Sequence, residues 1–81
     1  MNTPALDQTL DQLQRGQTAQ VTTLRGDDAV AQRLMEMGLL EGEKIEVLGF
    51  APFGDPMEIR LQDFRLSLRR AEAARINVVL L

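Results

Sequence analysis

The 81-residue chain has no cysteine, histidine, tryptophan or tyrosine. Without Cys there is no disulfide, thiolate nucleophile or thiolate metal ligand, and without His the chain lacks the commonest general base and the imidazole ligand. Ser67 is the single serine, with no His or Cys to activate it, so hydrolytic chemistry of the Ser or Cys type is excluded. The six glycines, at 16, 26, 38, 42, 49 and 54, are dispersed and lack the spacing of a nucleotide-binding loop. These absences predict a protein that is not an enzyme. The longest apolar run, Val78 to Leu81, falls far short of the roughly 20 residues of a membrane helix, and no direct membrane insertion is expected. The start, Met1-Asn-Thr-Pro-Ala-Leu-Asp, has neither a basic nor an apolar signal region, which predicts a cytoplasmic location. With 9 Lys+Arg against 12 Asp+Glu and few aromatics, nucleic acid is not an expected partner.

What is present is one small domain, 1–81, with helical and strand patterning. Leu6, Leu10 and Leu13 recur at helical spacing and predict a short helix ending near Gly16. Thr18 to Leu24 is rich in β-branched residues and stops at the turn Arg25-Gly26-Asp27, which predicts a strand. Asp27 or Asp28 then caps a helix over 28–37, with Val30, Leu34 and Met37 on its inner face and Gly38 at its end in a left-handed conformation. Lys44 to Phe50 reads as a second strand, followed by the Pro-bounded loop Ala51 to Pro56.

Beyond that loop the alternation is strict: Met57, Ile59, Leu61 and then Phe64, Leu66, Leu68 face one way. A turn at Gln62-Asp63 sets Leu61 opposite Phe64, Ile59 opposite Leu66 and Met57 opposite Leu68, and it also sets Arg60 opposite Arg65 on the outer face, near Glu58. A short helical segment over 70–74 precedes a closing strand, Ile76 to Leu80. The fold class is therefore mainly β, a small SH3-like antiparallel barrel of about five strands with one or two short helices. Leu66 in this reading is a core residue.

Three segments together, Arg33 to Gly42, Pro52 to Pro56 and Leu68 to Val78, resemble the FeoA family, and the resemblance covers nearly the whole chain. It implies a cytosolic accessory protein of ferrous iron uptake that docks on a FeoB-type transporter and supports or regulates it. The rival reading is a metal-responsive sensor domain that binds a divalent transition metal through carboxylates. The candidate partner-binding residues are Met35, Leu39 and Leu40 around the helix end, Phe53 in the loop, and Arg60, Arg65 and Arg69 in the basic C-terminal part. Residues 1–58 carry 4 basic and 10 acidic side chains, whereas 59–81 carry 5 basic and 2 acidic. No cofactor is expected beyond a weakly bound divalent metal, for which Asp27, Asp28, Glu41 and Glu43 are the carboxylate candidates. An edge strand in so small a barrel offers a surface for a homodimer.

Overall fold

The computed structural model describes residues 8–81. Six strands form one antiparallel sheet: β1 (Gln8–Thr9), β2 (Thr18–Leu24), β3 (Lys44–Phe50), β4 (Met57–Leu61), β5 (Phe64–Leu68) and β6 (Ile76–Leu80), in the order β1-β6-β2-β3-β4-β5. Helix α1 (Ala29–Glu36) joins β2 to β3, and the single turn α2 (Arg70–Ala73) joins β5 to β6. The sheet bends around its core at two irregularities, one between Val21 and Thr23 against β6 and one between Val47 and Gly49 against β4. Each leaves one unpaired residue on its strand, which locally increases the right-handed twist and curls the sheet toward a barrel.

The hairpin register is the one the alternation predicts, with Met57 opposite Leu68, Ile59 opposite Leu66 and Leu61 opposite Phe64. Leu66 points toward the core as expected but is only partly buried, because β5 is an edge strand and nothing among the described residues pairs with its outer side. Leu68, one pair deeper, is fully buried and is the core residue of this strand.

The first segment departs from expectation. In place of a helix to Gly16, Gln8 and Thr9 pair with Val78 and Asn77 of β6, and one 3-10 turn follows at Leu10–Gln12, its entry fixed by Thr9 N–H donating to Gln12 Oε1 at 3.0 Å. Leu10 and Leu13 are both buried, so this short turn already brings the two leucines inward. Leu6 lies outside the described residues.

Helix α1 is bounded as the sequence requires. Asp28 Oδ1 accepts from Ala31 N–H at 3.1 Å at its start. At its end Gly38, with φ +102°, donates to Met35 O at 2.9 Å while Leu39 N–H reaches Leu34 O at 3.2 Å, the paired bonds of a Schellman motif. That motif places the residue after the glycine against the last inward turn of the helix. Leu39 is accordingly fully buried beside Leu34, which corrects its assignment to a partner surface.

Candidate partner-binding surface

The remaining apolar candidates, Met35, Leu40 and Phe53, divide between the two ends of β4. At one end, Met35 and Leu40 are exposed around the α1 terminus, and Phe64, 62% exposed, pairs across the hairpin with Leu61, whose side chain underlies Gly38. Phe64 was expected to face the core with its strand. It does not reach it, because it is the first residue of an edge strand next to a two-residue turn. Glu43 accepts from Gln62 Nε2 at 3.2 Å, which ties the segment after α1 to that turn.

At the other end, the loop between β3 and β4 projects Phe53 fully into solvent. Its backbone is held from both sides. Ala51 N–H donates to Pro56 O at 2.9 Å, Gly54 N–H donates to Ala51 O at 2.8 Å, and Arg70 donates from Nε to Gly54 O at 2.7 Å and from its amide to Asp55 Oδ1 at 3.1 Å. The Arg70 guanidinium also lies 5.0 Å above the Phe50 ring, a cation–π distance. Within this frame Phe53 adopts φ +72°, a left-handed backbone that an L residue with a side chain ordinarily avoids.

The outer face of β3, β4 and β5 carries a charge ladder. Arg60 and Arg65 are directly opposite each other, as the register predicts. Their repulsion is relieved on both flanks, since Arg60 Nε lies 3.9 Å from Glu46 Oε1 and Arg65 Nη1 lies 3.6 Å from Glu58 Oε1. Arg69 is exposed and has no carboxylate partner among the described residues. It lines a hollow of about 450 Å³ with Asp55, Pro56, Ser67, Arg33 and Glu72. Glu72 is almost completely buried there and is satisfied by an ion pair with Arg33 and by Arg69 N–H at 2.9 Å.

The carboxylate candidates for a metal are dispersed. Asp28 is committed to the helix cap and to Arg75 Nη1 at 2.5 Å; that hydrogen bond, with the Ala31 amide, holds its pKa down at about 2. Glu43 accepts from Gln62, and no group of three Asp or Glu side chains converges among the described residues.

A family model described as the FeoA domain matches residues 8–80. The chain belongs to the FeoA family. Over 72 residues it is 38% identical to an Fe(2+) transport protein A/Fe(2+) transporter FeoB fusion protein of Porphyromonas gingivalis strain W83, covering 89% of this chain. The chain spans 8% of that relative's length. The solution structure of FeoA from Chlorobium tepidum is similar with a TM-score of 0.84 and 43% identity, over 91% of this chain and 70% of that one. The crystal structure of Stenotrophomonas maltophilia FeoA complexed with zinc, an SH3 domain protein, aligns with a TM-score of 0.74 at 33% identity over 88% of each chain. The mainly β, SH3-like fold read from the FeoA chain's periodicity is the fold of its relatives.

The residues here do not fit a zinc site of the usual kind. Zinc sites draw on Cys, His and carboxylates in sets of three or four, and this chain has neither Cys nor His and no converging carboxylates among its described residues. Sequence reasoning did not single out Phe64, Arg70 or Arg15, the last of which lines a hollow of about 360 Å³ with Ala51 and Pro56 of the loop. Phe64 follows the turn on the last strand of a hairpin, which is the position most exposed at a sheet edge, whereas the positions of Arg15 and Arg70 depend on tertiary contacts that no local pattern carries.

Proposed function

We propose that this FeoA domain is a non-catalytic, cytoplasmic accessory protein of ferrous iron uptake that docks on the cytosolic side of a FeoB-type transporter and supports or regulates it. The observation that supports this most directly is the P. gingivalis relative, in which a FeoA-like segment and the transporter are one polypeptide. A covalent link keeps the two at high effective concentration, which is useful when the separate partners must meet. The chain's own chemistry agrees with a docking role: it lacks the side chains of a nucleophile–base pair, and it presents rigid surface loops. Among the described residues no helix is long and apolar enough to cross a membrane.

The test is an amide NMR titration of labelled domain with the cytosolic region of its cognate transporter, in the presence of a GTP analogue and of GDP. Shifts clustered on one face establish docking, and a dependence on nucleotide distinguishes regulation from scaffolding. An unchanged spectrum with both nucleotides counts against docking on that region.

The metal-sensor reading has one observation in its favour, the zinc complex of the S. maltophilia relative. It requires stoichiometric binding at low micromolar metal. Anaerobic calorimetric titration with Fe(II) decides it: the docking reading expects only weak, salt-sensitive heats from dispersed carboxylates. The outer edges of β1 and β5, which have no strand partner among the described residues, leave a homodimer as a further proposal, which light scattering checks.

A further inference from the structure

We propose that Phe53 is the anchor residue of the FeoA domain, inserting as a preformed plug into an apolar pocket rimmed by carboxylates on its protein partner, with Arg15, Arg69 and Arg70 supplying the surrounding positive charge. The inference rests on the docking reading above and specifies its chemistry.

Two properties of Phe53 are unfavourable in the isolated domain. The ring is 106% exposed relative to a reference residue, so it contributes nothing to the core, and its backbone sits at φ +72°, where glycine would be unstrained. A strained backbone persists only when its surroundings over-determine it, and here they do. The Ala51–Pro56 and Gly54–Ala51 bonds close the loop, and Arg70 locks it to α2 through Gly54 O and Asp55. The backbone that carries the ring is therefore already fixed, so that binding has only the side chain's own rotamers to order, a lower cost than ordering a loose loop.

Charge around the loop is equally one-sided. Arg33, Arg60, Arg65 and Arg75 each have a carboxylate partner. Of the five cations that have none among the described residues, Arg25 and Lys44 lie elsewhere, whereas Arg15, Arg69 and Arg70 border this loop. Arg15 lines a hollow of about 360 Å³ with Ala51 and Pro56, Arg69 lines the hollow of about 450 Å³ on the other side of Pro56, and Arg70 holds the loop itself. Of the neighbouring acids, Glu58 is paired with Arg65 and Glu72 with Arg33, which leaves Asp55, hydrogen-bonded by the Arg70 amide, as the one carboxylate of the loop without an ion pair against three arginines. A surface of net charge −3 thus keeps a local excess of unpaired arginine around one projecting aromatic ring. Aromatic side chains, phenylalanine included, and arginine are enriched in protein interfaces relative to the rest of the surface. The two hollows that border the loop, at Ala51 and Pro56 and at Asp55 and Pro56, give projecting side chains of a folded partner somewhere to seat, a relief that a lipid surface does not use.

The experiment measures equilibrium binding of the full chain to its purified, detergent-solubilised FeoB-type transporter. Phe53→Gly is expected to weaken binding at least tenfold with a melting temperature no lower than the parent's, because glycine adopts φ +72° freely. Phe53→Asn, which also tolerates left-handed backbone, is expected to repeat the loss. Arg15→Gln and Arg69→Gln each weaken binding a few-fold and flatten its salt dependence, while Phe64→Ala, at the other end of β4, leaves it within twofold. Phe53→Gly binding within twofold of the parent overturns the anchor and leaves the docking reading intact. No binding by the parent overturns both. Parent binding to phosphatidylglycerol vesicles that is lost in Phe53→Gly assigns the ring to a lipid surface and overturns the protein anchor.

Discussion

Asp28 Oδ1 and Arg75 Nη1 are 2.5 Å apart and tie the first turn of α1 to the residue that leads into β6. The same oxygen accepts the Ala31 amide, so a single carboxylate serves both the helix cap and a long-range contact. Its pKa is lowered from the ordinary 3.8 to about 2, first by the hydrogen bond from Arg75 and then by that from Ala31. A carboxylate whose folded pKa lies below its unfolded value stabilises the fold above the unfolded value and loses that contribution as pH falls through the folded one. The melting-temperature difference between the parent and Asp28→Asn should therefore be constant above about pH 5 and shrink steadily between pH 4 and pH 2. A difference that stays constant to pH 2 refutes the role of the ionised carboxylate.

Gly38 carries two independent demands. Its φ of +102° disfavours any side chain, and a Cβ placed there would lie 3.2 Å from Leu61 Cδ2. Gly38→Val combines left-handed strain with overpacking and should cost about 2–4 kcal/mol in denaturant unfolding. An unchanged midpoint would exclude the Schellman termination of α1.

Along β5, depth changes within two residues. Leu68→Ala should cost about 2–5 kcal/mol as a full core truncation, and Leu66→Ala about 1 kcal/mol because solvent already reaches that side chain. Equal losses in urea unfolding would show that the sheet edge is covered in solution.

Arg33 compensates a carboxylate that has little access to water. Removing it in Arg33→Gln leaves Glu72 with only the Arg69 amide and should destabilise the domain by about 1–2 kcal/mol, an effect the double variant Arg33→Gln/Glu72→Gln partly reverses. No reversal in the double variant would mean that Arg33 acts through packing alone.

Much of this architecture is written locally. The β4–β5 register was legible because strict alternation on both sides of Gln62-Asp63 admits only one pairing that puts all the apolar residues on one face, and α1 was legible because Asp28 and Gly38 mark its two ends. The segment around Leu10 and Leu13 was misread as a helix because those spacings satisfy a helix as well as a strand followed by one tight turn. What decided between them was pairing with Val78 and Asn77, almost seventy residues away. Leu39 looked like surface because it falls off the α1 stripe, yet the Schellman turn swings it inward. The candidate site was legible only in part. Phe53 stands out in the sequence as an aromatic in a Pro-bounded loop, but its three neighbouring arginines arrive from positions 15, 69 and 70 and are gathered only by the fold.

The strand order has a kinetic consequence. The β3–β4–β5 meander is built from contacts close in sequence, whereas β2 acquires its second neighbour only when β6 slides in between it and β1. Loop-closure entropy must be overcome before that insertion yields any contact. A chain emerging from the ribosome can therefore form half of its sheet early, but it exposes the Thr18–Leu24 edge until Leu80 has cleared the exit tunnel. Of the six strands, the sixth in chain order is the one that closes the interior of the sheet.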